Sequence, residues 1–345
     1  MDDVYRTTER NFLTLLENIA SDRDLFVPTD KQGEISYTRW EDLGQSSVHF
    51  PETRIGTPPK VFFFPPKEEV ARFPKDRGEP ERTKRAVFGL KACDLSSFKV
   101  LDNIFLDEEF VDPFYAVRRH DTLIISSDCS EVSETCFCNK VGGQPYPDRD
   151  FDLNVTRAPG FEELIVEFNP DSLEAREIYE SNSELFEPAT EDTLEKRSSF
   201  RVSKMEELEE NNSFFEVPDD VGDIPPDNPI WSKLAEDCVE CGACNLSCPT
   251  CHCFQLYESE EGSSVTRSKV WDSCNFKGYS RVAGGANPME SLESRVRNRF
   301  YDKFDRIYEN YGFYGCTGCG RCIDGCMGDI DMRDILKEVA VESTS

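Results

Sequence analysis

The chain has 345 residues, long enough for two domains that each bury a core of their own. Its 68 acidic and 39 basic residues leave a formal charge of −29, which argues against general nucleic-acid binding and fits a dispersed acidic surface. Fifteen cysteines would suggest disulfides in a secreted protein. However, Met1-Asp2-Asp3-Val4-Tyr5-Arg6 is no signal-peptide start, and no stretch approaches the ~18 apolar residues of a membrane span. The thiols are therefore read as metal ligands kept reduced in a cytoplasm, in an anaerobic or microaerobic setting.

Taken in order, Phe12, Leu13, Leu15, Leu16 and Ile19 fall at helical spacing and predict an amphipathic helix over 6–20. Val61-Phe62-Phe63-Phe64, before Pro65-Pro66, predicts a strand, and Ala86-Val87-Phe88-Gly89-Leu90 a second. The second leads through Lys91-Ala92-Cys93-Asp94 into a helix over Leu95 to Ile104, with Asp94 as its N-cap. A third strand, Asp121 to Ser126, ends at Ser127-Asp128-Cys129, and Leu164-Ile165-Val166 is a further apolar run. This alternation predicts an α/β domain over 1–186.

Residues 187–227 turn acidic and Pro-containing, as in Val217-Pro218-Asp219-Asp220 and Ile224-Pro225-Pro226-Asp227, and are expected to be a surface linker. Within it, Glu206-Glu207-Leu208-Glu209-Glu210 reads as a solvated face. Residues 228–345 are expected to form a mostly helical, ferredoxin-like domain with two clusters.

That expectation rests on two runs of identical spacing. Cys238-Val-Glu-Cys241-Gly-Ala-Cys244-Asn-Leu-Ser-Cys248-Pro249 is the C-x2-C-x2-C-x3-C-P pattern of a [4Fe–4S] cluster, and Cys316-Thr-Gly-Cys319-Gly-Arg-Cys322-Ile-Asp-Gly-Cys326 repeats it. Two-residue gaps wrap three thiolates around one face of a cube, and small residues such as Gly242, Ala243, Gly318 and Gly320 let the backbone approach it. The fourth cysteine of each run normally serves the other cluster. One cluster is therefore expected on Cys238, Cys241, Cys244 and Cys326, and the other on Cys316, Cys319, Cys322 and Cys248. Structural zinc and disulfides are the bland alternatives, but zinc sites usually use two separated ligand pairs. The 67 residues between Cys248 and Cys316 are a large insertion for a compact ferredoxin. In it, Leu292, Val296, Phe300, Phe304, Ile307, Tyr308 and Tyr311 give one packing face, and Arg295, Arg297, Arg299, Lys303 and Arg306 give concentrated positive charge. The bland reading of that charge is a solvated basic face; the sharper one is that it stabilises reduced clusters or docks a partner.

Seven cysteines lie outside the two runs. Cys93 and Cys129 each follow a predicted strand, so a parallel sheet would bring both to one carboxyl edge, with Cys136 and Cys138 close by. These four are read as ligands of a third iron–sulfur cluster, against zinc or buried apolar cysteines. Cys251, Cys253 and Cys274 lack an obvious fourth partner, with His252 a candidate on paper only. Packing near the first cluster is favoured for them, over an additional cluster or redox-active thiols. His49 and His120 have no catalytic company. No G-x-G-x-x-G, P-loop, H-E-x-x-H or nucleophile elbow is present, so nothing suggests that the chain itself holds a flavin or NAD(P).

With these residues in view, the sequence resembles the beta subunits of sulfhydrogenases (soluble [NiFe] hydrogenases) and the A subunit of anaerobic sulfite reductase, from about Val87 to Asp331. The resemblance is carried by Gly89-Leu90-Lys91-Ala92-Cys93-Asp94, Asp112-Pro113-Phe114-Tyr115, Arg118-Arg119 and Thr135-Cys136-Phe137-Cys138. Toward the C-terminus it continues through Cys248-Pro249-Thr250-Cys251-His252-Cys253-Phe254, Trp271-Asp272-Ser273-Cys274, Ala283-Gly284-Gly285 and the Cys316–Cys322 run. Met327 departs from it, since a proline often follows the last cluster cysteine. The resemblance implies a non-catalytic electron-transfer subunit of a cytoplasmic oxidoreductase complex. Its partners would be a ferredoxin-reductase-like subunit binding FAD and NAD(P), and a catalytic subunit: a [NiFe] hydrogenase, a sirohaem sulfite reductase or a heterodisulfide-reductase-like protein. Two rivals stand beside it: a sulfur-compound reductase acting at Cys251 and Cys274, and a structural Fe–S interaction platform.

Overall fold

The computed structural model describes residues 3–74, 80, 82–107, 109–218 and 221–342; Met1 and Asp2 of the opening, and Asp219 and Asp220 of the expected linker, lie outside them. The first half runs β1 (Val4–Thr7), α1 (Glu9–Ala20), β2 (Asp24–Lys31), β3 (Glu34–Arg39), α2 (Lys60–Phe63), β4 (Lys67–Phe73), β5 (Arg85–Leu90) and α3 (Ala92–Phe105). It continues with α4 (Pro113–His120), β6 (Thr122–Ser127), β7 (Leu153–Thr156), β8 (Leu164–Phe168), α5 (Leu173–Ser181), β9 (Glu187–Pro188) and α6 (Glu191–Asn211). Eight strands form one sheet in the order β3-β2-β5-β6-β7-β8-β1-β9. Its centre, from β2 through β5 and β6 to β7, is parallel, and the flanking pairs are antiparallel.

Alternation along the central strands explains why they read as continuous apolar runs. Ala86, Phe88, Leu123 and Ile125 face α1, where Phe12, Leu15 and Leu16 are buried, while Val87, Leu90 and Ile124 face α3 and α2. Both faces are covered, so Ala86–Phe88 and Leu123–Ile125 are apolar at successive positions. The same logic misleads at Val61-Phe62-Phe63-Phe64. This segment is not the expected strand but the single turn α2 and its C-cap, with Phe62, Phe63 and Phe64 all buried against α3. A short run buried on all sides carries no periodicity to separate helix from strand. Asp94 is likewise not an N-cap: Lys91 takes that position, and the Asp94 carboxylate accepts the Lys91 backbone N–H at 3.1 Å from inside the first turn of α3.

The second half contains α7 (Pro229–Asp237), α8 (Ala243–Leu246), a hairpin of β10 (Phe254–Glu261) and β11 (Ser264–Trp271), and α9 (Leu292–Tyr301). A π-turn over Asp302–Arg306 leads into α10 (Ile307–Tyr311), followed by α11 (Arg321–Asp324) and α12 (Met332–Glu342). Its core packs Trp231, Phe300, Phe304 and Leu336 together with Phe137, which comes from the first half. Full burial of Phe137 is worth about 1.5–3 kcal/mol by apolar transfer.

Two features differ from the expected organisation. The second half is not simply helical: β10 and β11 form an antiparallel sheet, and its third strand is β4 of the first half. The acidic 187–227 stretch is not only a linker, because 21 of its residues form α6, capped by Thr190. Arg201 of α6 pairs through both arms with the buried Asp128 carboxylate, at 2.8 and 3.1 Å, and Asn212 bonds the Cys136 carbonyl at 2.8 Å. Sparse apolar residues concealed this helix, which is held by ion pairs and hydrogen bonds to partners distant in sequence.

Candidate functional site

Cys238 caps the C-terminus of α7, Cys241 and Cys244 follow around α8, and Cys326 closes from the loop after α11. These four thiols line one cavity of about 60 Å³, together with Val296, Phe300 and Arg299. Gly242 turns there with φ +72°, and a Cβ on it would stand 2.6 Å from the Phe276 ring, so only glycine fits. Backbone and amide donors point at the sulfurs: Ile330 N–H to Cys326 Sγ at 3.3 Å and Asn275 Nδ2 to Cys244 Sγ at 3.3 Å.

Cys248, Cys316, Cys319 and Cys322 gather beside this set. Cys248 and Cys319 are buried, and Cys316 Sγ accepts the Gly318 N–H at 3.4 Å. Burial pushes the Cys316 and Cys322 thiols up, Cys322 to about 12, and neighbouring thiols of the same set add to the shift. A thiol in such a place becomes a thiolate only when a metal takes its proton's position.

The third set also comes together. Cys93 enters from the first turn of α3, directly after β5, and Cys129 from the end of β6. The β5–β6 pairing is parallel, as the sequence required for a shared carboxyl edge. Cys136 and Cys138 complete a cavity of about 20 Å³ whose wall also includes Cys319 and Gly318. Burial raises the thiols of Cys93, Cys129 (to about 12), Cys136 and Cys138.

The three sets are contiguous. Cys322 lines the cavity of the Cys238 set, while Cys319 lines the cavity of the Cys93 set. The 316–322 loop therefore stands between the other two. It meets the third set through its backbone: Phe137 N–H donates to the Gly318 carbonyl at 2.7 Å, and Cys136 Sγ lies 3.6 Å from the Cys319 carbonyl. Among the described residues, no three or more His, Cys, Asp or Glu side chains are spaced for a single metal ion. The spacing and donor chemistry of the two ferredoxin-type runs fit [4Fe–4S] clusters.

Buried cations surround the thiols, so the basic helix among them is not simply a solvated face. Arg295, Arg299 and Lys303 recur at four-residue intervals along α9 and its π-turn, and all three are buried. Arg299 and Lys303 are raised in pKa because nearby thiolates, Cys244 foremost for Arg299 and Cys248 foremost for Lys303, outweigh the opposing effect of burial. At the third set, Lys91 is fully buried and donates to the Pro51 carbonyl (2.7 Å), Ser127 Oγ (2.9 Å) and the Asp128 carbonyl (2.8 Å). Arg54 bonds the Cys319 carbonyl, and Arg321 pairs with Asp94 at 2.7 Å. Lys91 and Arg321 sit inside the motif segments and were open to notice; Arg54 and Lys60 carry no local signal.

Each histidine has a local partner. His120 pairs with Asp121 at the surface, His49 with Glu52, and His252 is held at the Thr250 carbonyl, 3.1 Å from Nδ1. No helix among the described residues is long and apolar enough to cross a membrane.

Comparison with known proteins agrees with this geometry. Residues 237–330 match the family described as 4Fe-4S dicluster domain. The chain is 29% identical over 293 residues, 83% of its length and 84% of the relative's, to sulfhydrogenase 2 subunit beta of Pyrococcus furiosus. The likeness to that beta subunit spans most of both chains, and the dicluster match contains both cysteine runs, so the cofactors of this chain are two [4Fe–4S] clusters.

Proposed function

We propose that this chain is an electron-transfer subunit of a multi-subunit cytoplasmic oxidoreductase of the sulfhydrogenase kind. Its place would be between a flavin- and NAD(P)-binding subunit and a catalytic redox subunit such as a [NiFe] hydrogenase. In this reading Cys238, Cys241, Cys244 and Cys326 hold one cluster, Cys316, Cys319, Cys322 and Cys248 the second, and Cys93, Cys129, Cys136 and Cys138 a third iron–sulfur cluster. A [4Fe–4S] cluster supplies one-electron chemistry at a potential tuned by nearby charge, hydrogen bonds and exposure.

The observation that carries the reading is the shared walls. Cys322 lines the cavity of the first set and Cys319 that of the third, so the 316–322 loop touches both, which supports a relay through it. A protein that used clusters only as braces would have no need to bring them together. Cys241 is exposed, while Cys319 is buried, which suits an entry or exit point at Cys241. The chain's own residues position the thiolates, keep water from the middle set and balance charge with Arg54, Lys91, Arg299 and Lys303.

The experiment is an anaerobic pull-down of the tagged chain from its native host, with mass-spectrometric identification of what accompanies it. A flavin reductase together with a hydrogenase pair is expected; a sirohaem protein would place the chain in the sulfite branch. Recovery of the chain alone, with its clusters intact, would overturn the relay.

A further inference from the structure

Three sets of four account for twelve of the fifteen cysteines, and the remaining three, Cys251, Cys253 and Cys274, fall at one place. The β10–β11 hairpin pairs Phe254 with Trp271, so the chain segments beyond its open end stay together; the Asp272 N–H donates to the Cys253 carbonyl at 3.0 Å. The Cys253 and Cys274 side chains are hydrogen-bonded to each other there. Cys251 lies between Cys248 and this pair, in contact with Cys248 and in the field of Cys274, with its sulfur 3.6 Å from Arg299 Nη1. Cys274 Sγ in turn accepts the Asn245 amide at 3.1 Å.

Three cations converge on the same place, each more than nine-tenths buried: Lys60 at 2% exposure, Lys303 at 4% and Arg299 at 7%. Lys60 reaches in from α2, donates to the Cys251 carbonyl at 2.9 Å and the Asn245 carbonyl at 3.1 Å, and lies over the Trp271 ring at 4.1 Å. Lys303 bonds the Thr250 hydroxyl and the Gly315 carbonyl, and Arg299 bonds Asn245 Oδ1 at 2.7 Å. Among the described residues, none of the three has a carboxylate ion-pair partner. An isolated buried charge costs several kcal/mol, so three together call for negative charge beside them. The Cys248 set faces Lys303 and Arg299. Lys60 has Cys251, Cys248 and Cys253 in its field, and its ammonium donates to the Cys251 carbonyl.

We propose that Cys251, Cys253 and Cys274 bind a further iron–sulfur centre through three thiolates, with Lys60, Arg299 and Lys303 balancing its charge. Its remaining iron position takes a ligand other than cysteine. The inference is independent of which partners the chain serves, because it concerns iron content alone.

The test uses the full chain, purified anaerobically with its native partners, beside a Cys253→Ser/Cys274→Ser variant. Iron and acid-labile sulfide are counted per chain, and Mössbauer and EPR spectra are recorded. The variant is expected to lose about four irons and four sulfides, while the spectra of the other centres persist. Retention of the wild-type iron count would overturn the proposal, and so would zinc in place of iron at wild-type occupancy. Should the variant fail to fold, alkylation of the wild-type holoprotein decides. Protection of all three cysteines until a chelator strips the iron supports the centre. Labelling of Cys253 and Cys274 in the iron-loaded protein, or recovery of a disulfide between them, overturns it in favour of a dithiol.

Discussion

Gly318 and Cys138, 180 positions apart in sequence, meet so closely that a Cβ on Gly318 would stand 2.5 Å from the Cys138 backbone nitrogen. The Phe137 carbonyl lies at the same 2.5 Å, and Gly318 itself adopts φ +63°. This contact joins the carboxyl edge of the parallel sheet to the second ferredoxin run. Gly318→Ala should therefore loosen both sets at once. The left-handed conformation alone costs an L-residue about 1–2 kcal/mol, and the clash with backbone adds to it. The expected outcome is a lower unfolding temperature together with reduced iron content, measured on the same preparation.

Removing a single ligand from the middle set should be more selective. Cys319→Ala is expected to abolish one cluster signal by EPR and to stop electron flow through the assembled complex. An unchanged spectrum with full activity would defeat the assignment of the middle set.

The buried cations are expected to set potentials rather than merely to stabilise the fold. Lys303 has Cys248, Cys251 and Cys316 in its field. Lys303→Met removes about 1–2 kcal/mol of preference for the reduced, more negative state at an effective dielectric near 20. For a one-electron couple this lowers the potential by roughly 40–90 mV. Anaerobic redox titration of the variant beside the wild type measures the shift; equal potentials would return Lys303 to a structural role.

Asp94 and Arg321 form an ion pair at 2.7 Å with side chains that are almost wholly buried. Asp94→Asn would leave the guanidinium unpaired beside Cys93 and Cys319, at a cost of about 3–5 kcal/mol. Denaturant unfolding under anaerobic conditions should show that loss, and a double change that also neutralises Arg321 should recover part of it.

The thiols give the protein without clusters a distinctive pH dependence. Burial raises Cys129 and Cys322 from the ordinary value of 9.0 to about 12 in the folded chain. A group with a raised folded pKa contributes stability that is present below its unfolded value and lost as the pH climbs through the folded one. The cluster-free protein should thus lose stability between pH 9 and about 12. Because iron binding displaces these protons, cluster assembly should release acid, which an unbuffered titration would detect.

The chemistry of this protein was legible in its sequence because each ferredoxin run is local. Cys238 to Cys248 and Cys316 to Cys326 carry their spacing with them, and no long-range contact is needed to recognise it. The apolar runs of β5 and β6 were legible for the same reason, and placed Cys93 and Cys129 at one sheet edge. The turn at Phe62–Phe64 and the helix α6 were not. One is apolar on every side, and the other is held by ions such as Arg201 to Asp128 rather than by a periodic stripe.

By itself, then, the sequence determined the ligand type, the two-cluster pattern and the acidic surface, all of which depend on near neighbours or on composition. Only the tertiary structure decided that Cys319 and Cys322 line two different cavities, and that Arg299 and Lys303 turn inward instead of to solvent. It alone brought Lys60 and β4 from the first half against the β10–β11 hairpin. These relationships join residues separated by many tens to hundreds of positions. They are fixed by where burial and charge balance are satisfied together, a condition that no local spacing encodes.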